Sequence, residues 1–113
     1  MCGIVGIFNK ENCFEDIVKA LSILKSRGKD GVGISSGTLC YHSKAISGIK
    51  RINSENILAH NLHSVVNNVP QPIKKKGVFS SNCEIYNWKE IKDKFSLNSK
   101  NDSELIIDLI EKT

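Results

Sequence analysis

The sequence predicts an α+β layered fold, on three observations. A short β-branched apolar run opens the chain, a segment of helical periodicity follows it, and a strand-rich middle gives way to two further helical stretches. No internal repeat interrupts that order.

Residues 3–8, GIVGIF, suit a buried strand. Asn12 and Glu15 then stand as in a capping box, with Asn in place of the usual Ser or Thr. Ile17, Val18, Leu21 and Leu24 recur along one helical face, and Gly28 supplies the stop. Between Gly31 and Ile49, glycine, serine and alternating apolar residues predict two short strands joined near Gly37. Ile57-Leu58-Ala59 and Val65-Val66 predict two more strands, Val69 to Lys76 a loop, and Gly77 to Ser80 another strand. Trp88, Ile91 and Phe95 share one face of a short helix. Asp102 or Ser103 then caps a last helix bearing Leu105, Ile106, Leu109 and Ile110. Strands without long connecting helices do not easily close both faces of a sheet, so the core is expected to be unfinished.

The 113 residues allow one domain, and 40% hydrophobic with 25% charged residues is the composition of an ordinary globular protein. No apolar run has the length of a membrane span, so no membrane association is expected. The opening MCGIVGIF lacks a basic leader and a cleavage site, which predicts a cytoplasmic chain. Cys2, Cys13, Cys40 and Cys83 could form two disulfides, but in a reducing compartment free thiols are the expectation. His42, His60 and His63 lack zinc-finger spacing, and no metal site is expected. The charge of +4 is mild; Lys74-Lys75-Lys76 has no interleaved aromatics and follows Pro70 and Pro72, so it reads as a solvated loop and no nucleic-acid partner is expected.

The second residue is where chemistry concentrates. A small residue after the initiator generally permits methionine removal, which would leave Cys2 with a thiol and a free α-amine. A free thiol and an α-amine ordinarily have pKa values of about 8.5 and about 8, both near neutrality. The amine can therefore accept the thiol proton, directly or through water, with no separate histidine base. Gly3 beside it would let a substrate approach. Alone, a cysteine at this position is weak evidence.

Four ordered motifs strengthen it: MCGIVGIF, then Arg27-Gly28-Lys29-Asp30-Gly31-Val32-Gly33, then Asn82-Cys83-Glu84-Ile85-Tyr86-Asn87, then Asn101-Asp102-Ser103-Glu104. In these the chain resembles the class II, N-terminal-nucleophile glutamine amidotransferases, and its EIYN element resembles the glutaminase domain of asparagine synthetase. That family opens with MCGI and carries RG-x-D-x-x-G, NGEIYN and Ser/Thr-Asp-x-Glu downstream. The resemblance implies an αββα sandwich of the N-terminal-nucleophile hydrolase type, here incomplete, with residues 1–113 a partial glutaminase domain. It also implies that Cys2 hydrolyses glutamine to glutamate and ammonia, supplying ammonia for asparagine synthesis from aspartate. ATP and magnesium are implied only for a synthetase domain that these residues do not include, so the partner would be a synthetase subunit or a C-terminal region. A remnant that binds glutamine without turnover, or an interaction module of the same fold, is the alternative.

The resemblance also assigns roles. Asn82, through its side chain, and Cys83, through its backbone N–H, match the donors to the tetrahedral oxyanion. The family has glycine at the position of Cys83, so strain or crowding is expected there. Asp102 matches the aspartate that binds the α-ammonium of glutamine. Arg27 and Asp30 match the loop beside the nucleophile. In the family a histidine is followed, two residues on, by an arginine that grips the α-carboxylate. Here the stretch is His60-Asn61-Leu62-His63, so leucine stands in its place, and His63, Lys50 or Arg51 are the candidates to compensate.

Overall fold

Alternation along the β-branched segments explains how the first half of the chain folds. The computed structural model describes residues 1–63 and 69–113, so the strand expected at Val65-Val66 lies outside the described residues. In chain order the elements are β1 (Gly3–Ile7), α1 (Phe14–Leu24), β2 (Gly31–Ser35), β3 (Cys40–Ser43), β4 (Ile57–Leu62), β5 (Ile73–Lys74), β6 (Val78–Phe79), α2 (Trp88–Lys94) and α3 (Asp102–Lys112). Short 3-10 turns cover Lys25–Arg27 and Ile46–Gly48. Four strands form an antiparallel sheet in the order β1-β4-β2-β3, and β5 pairs with β6 as a separate hairpin. This is a mixed structure of helices and two sheets, as the element order predicts.

Register decides what each face of the larger sheet buries. Val5 lies opposite Ala59, and Ala59 opposite Ile34, so these residues share one face. There they meet Ile17 and Leu21 of α1, with Cys13, Ile52 and Ile57 completing the buried cluster. On the other face Gly33 lies opposite both His42 and His60. The chain from Pro70 to Ser80 covers that face: His42 Nε2 sits 2.8 Å from the Pro72 carbonyl oxygen, and His60 Nδ1 meets Ser80 Oγ. Gly33 is glycine because a Cβ there would collide with the Gln71 carbonyl oxygen. α2 and α3 pack on each other. Ser81 Oγ donates to Ser103 Oγ at 2.9 Å, fastening α3 to the segment before α2.

Several local expectations are corrected. α1 begins after Cys13 with no side-chain cap, and Asn12 takes a left-handed φ of 53°, which asparagine tolerates. The helix start is set by loop geometry, with the Cys13 thiol donating to the Ser54 carbonyl at 3.2 Å. α1 ends at Leu24 and continues as the 3-10 turn Lys25–Arg27, which ends at Gly28 as expected; Gly28 closes it in an extended conformation, φ −155°, and it is glycine because a Cβ would lie 2.6 Å from the Asn61 carbonyl oxygen. Asn101, not Asp102 or Ser103, caps α3 by accepting the Glu104 N–H at 2.9 Å. The buried apolar residues of α3 are Leu105 and Ile107, while Ile110 is 60% exposed. The expected loop at 69–76 contains β5.

Gly33→Ala should cost about 1–3 kcal/mol, because backbone must move to admit the methyl. Gly77→Ala, with nothing within 4 Å of the added carbon, should stay within about 0.5 kcal/mol of wild type in chemical denaturation. His60 is fully buried, its Nε2 has no partner among the described residues, and burial lowers its pKa to about 4. An unfolded histidine titrates at about 6.5, so between these values the unfolded chain holds more protons and stability falls as pH falls. Denaturation at pH 7 and pH 5 should show a loss of about 2 kcal/mol that His60→Leu lacks.

Candidate active site

The pairing of β1 with β4, with Gly3 opposite Asn61, brings Cys2 to the end of β4 beside His63. Cys2 Sγ accepts the His63 N–H at 3.3 Å and lies 3.5 Å from the His63 carbonyl oxygen, to which the thiol can donate. The residue is 8% exposed. Its own N–H donates to Asn82 Oδ1 at 3.4 Å, and its carbonyl accepts from Arg27 Nε at 3.1 Å. Three separate stretches of chain, at residues 27, 63 and 82, therefore converge on the second residue. The Asp30 N–H donates to the Leu62 carbonyl at 2.9 Å, which ties the 27–30 segment to the same strand end.

Next to Cys2 is an open cleft of about 610 Å³, lined in part by Met1, Arg27, Lys29, Asp30 and His63. Met1 belongs to that lining and Cys2 does not, so removal of Met1 would free the Cys2 nitrogen at this wall. Two cations, Arg27 and Lys29, and the Asp30 carboxylate share the cleft. His63 Nδ1 stands 3.9 Å from Asp30 Oδ2.

The other residues singled out by sequence fall in different places. Cys83 is exposed, and its Sγ lies 3.5 Å from Ser81 Oγ and 3.7 Å from Ser103 Oγ. Its φ is not positive, so glycine's conformational freedom is not needed there. Asp102 is buried; one oxygen accepts the Ile85 N–H at 2.9 Å and the other the Ser103 N–H at 2.9 Å. Its carboxylate thus anchors the 83–85 segment, and it is not among the residues lining the Cys2 cleft. Leu62 is buried on the opposite side of the strand from Asn61 and lines a separate cavity of about 260 Å³ with Pro70 and Gln71.

Lys50 and Arg51 do not reach the cleft lining. Arg51 pairs with Glu15 and lies 5.2 Å from the Phe14 ring centroid, while Lys50 lies 5.4 Å from that of Tyr41. The Arg51 contacts sit at the start of α1, whereas Gly3 packs against Leu24 at its end, about 16 Å away for an 11-residue helix. Lys29, inside the RG-x-D motif, is the cation that sequence reasoning passed over. Its position in the motif was the available signal. Among the described residues no group of three His, Cys, Asp or Glu could hold a metal ion, and no helix is long and apolar enough to cross a membrane.

Comparison with known proteins matches this sequence to a family. The model of the glutamine amidotransferase domain matches residues 1–113. Curated relatives include the glutamine–fructose-6-phosphate aminotransferases (isomerizing) of Bacillus thuringiensis subsp. konkukian, Bacillus cereus and Bacillus anthracis. Each is 30% identical over 132 aligned positions, covering 98% of this chain and 22% of the relative. The chain spans about a fifth of the length of these relatives, and because 132 positions exceed its 113 residues, they carry at least 19 residues that it lacks within the aligned region. No solved structure matches significantly. The chain belongs to the glutamine amidotransferase domain family.

Proposed function

We propose that this chain, once Met1 is removed, hydrolyses the side-chain amide of glutamine with Cys2 as nucleophile. The observation that carries this reading is the contact of the Cys2 nitrogen with Asn82 across 80 residues of sequence, beside a cleft whose lining includes Met1, Arg27 and His63. The free amine takes the thiol proton, and Sγ bonds to the amide carbon. Asn82 Nδ2 and the Cys83 N–H stabilise the oxygen of the tetrahedral intermediate. Collapse expels ammonia, which carries away the proton held by the amine. Water then cleaves the thioester, releasing glutamate and restoring the thiol. The His63 main chain keeps Sγ fixed throughout, and Arg27 holds the Cys2 carbonyl. Arg27 and Lys29 supply positive charge for the substrate α-carboxylate. Asp102 acts indirectly, by holding the segment that carries Asn82 and Cys83. Thiol and amine suffice for this chemistry, so no nucleotide or metal is assigned to the hydrolysis.

For the ammonia acceptor we favour a sugar phosphate over aspartate. The relatives are named for fructose-6-phosphate, and their likeness extends over 98% of the chain, whereas only the EIYN element favours asparagine synthesis. The acceptor would bind a C-terminal region or partner chain, because the matched part is 22% of those relatives. We also read the four-stranded sheet as one layer of an αββα sandwich. Supporting this, α1 covers one face and the segment carrying the β5–β6 hairpin covers the other. The free cysteines fit a reducing, cytoplasmic setting.

A glutaminase assay on methionine-free protein should give turnover that Cys2→Ala lowers by at least about a thousand-fold. Equal turnover by both proteins would remove the proposed nucleophile; saturable glutamine binding without turnover would identify an inactive binding module instead. Asn82→Ala should lower kcat by about a hundred- to a thousand-fold with little change in KM, since its donor acts on the intermediate.

A further inference from the structure

Asn82 is exposed, and it stands in a stretch, residues 80–85, without regular secondary structure. Its place beside Cys2 is therefore set by what holds the main chain on either side of it. On the far side Asp102 accepts the Ile85 N–H. On the near side there are three contacts. His60 Nδ1 meets Ser80 Oγ, Ser81 Oγ donates to Ser103 Oγ at 2.9 Å, and the Ser81 N–H donates to Gln71 Oε1 at 2.8 Å. The first two end on hydroxyl groups of this stretch, which can turn about χ1 without moving the backbone. The third holds a peptide unit, one residue from Asn82.

Gln71 is a fixed anchor for that bond. It is 4% exposed, and its carbonyl oxygen presses on Gly33, where a Cβ would lie 2.0 Å away. The next carbonyl, that of Pro72, takes His42 Nε2 at 2.8 Å. The main chain at 71–72 is thus seated on both β2 and β3. Gln71 stands outside the lining of the Cys2 cleft.

We infer that Gln71 is a positioning residue: its side-chain oxygen, through the Ser81 N–H, sets the Asn82 side chain against the Cys2 nitrogen. With Oδ1 at that nitrogen, Nδ2 is the end of the amide left to donate to the oxygen of the intermediate. Such a donor has to be held within about 0.5 Å of its working position. The effect on turnover rests on the hydrolytic reading above; the placement of Asn82 does not.

The test uses the full chain, freed of Met1 and ¹⁵N-labelled, with two replacements. Gln71→Met keeps the length of the side chain and removes its acceptor, whereas Gln71→Glu keeps an oxygen there. Gln71→Met should shift the Ser81 backbone and Asn82 side-chain amide signals and leave those of Ile17 and Leu21 unmoved. It should lower kcat by at least about tenfold and change KM by less than about twofold, since the donor acts on the intermediate. Gln71→Glu should stay closer to wild type in both signals and in kcat. With Asn82→Ala already in place, Gln71→Met should lower kcat no further. In the unaltered chain the Ser81 amide should exchange with solvent at least about tenfold more slowly than that of exposed Glu84, a reading that needs no variant to fold. An unmoved Asn82 signal in Gln71→Met, an equal further loss of kcat on top of Asn82→Ala, or Ser81 exchange as fast as that of Glu84 would each overturn the proposal. A wild-type chain without turnover would instead count against the hydrolytic reading, and the amide signals would still decide whether Gln71 places Asn82.

Discussion

The antiparallel pairing of β1 with β4 is the constraint on which the rest of the structure depends. It joins the N-terminal strand to residues nearly 60 positions away, at the centre of the sheet. Because Gly3 is held opposite Asn61, Cys2 has one place to go, and both polar atoms of the His63 main chain meet its sulfur there. Shifting the register by one residue would turn Val5 and Ile7 out of the core and carry the sulfur to the other face. The hydrophobic burial that folds the sheet is thus the same force that positions the thiol.

Close backbone approaches extend this positioning outward. Gly28 lets the segment after α1 lie directly on the end of β4, which brings Arg27 to the Cys2 carbonyl and Lys29 and Asp30 to the cleft. Gly33 lets the 70–80 segment lie on the opposite face of the sheet, and that segment leads to Ser81 and Asn82. Two glycines, one on each side of β4, therefore govern the two stretches of chain that converge on the second residue. The serine pair between residues 81 and 103, with Asp102 on the Ile85 N–H, completes the support from α3.

Much of this was legible in the sequence, for identifiable reasons. Ile17 and Leu21 are buried where helical spacing put them, and Ile34, Ile57 and Ala59 where strand alternation did, because both periods report the burial that dominates folding. The N-terminal motif marked Cys2, and the NCEIYN motif marked the asparagine that meets it. What failed was set by long-range contacts. The start of α1 depends on Cys13 reaching Ser54, and the need for glycine at position 28, where the 3-10 turn ends, comes from its neighbour strand. β5 is only Ile73 and Lys74, between Pro72 and Lys75, and leaves no apolar alternation to read. Asp102 has the right motif, and one of its oxygens accepts the N–H of Ile85, 17 residues away, a use that no local pattern shows.

The central claim is that Cys2, freed of Met1, is a nucleophile shaped for glutamine. Intact-protein mass spectrometry after exposure to 6-diazo-5-oxo-L-norleucine, a glutamine-shaped diazoketone that alkylates a thiol with loss of nitrogen, tests it directly. The account predicts a mature chain that begins at Cys2 and takes up a single adduct on that residue, suppressed by excess glutamine. A retained methionine, or an adduct carried by the exposed Cys83 instead, would contradict it.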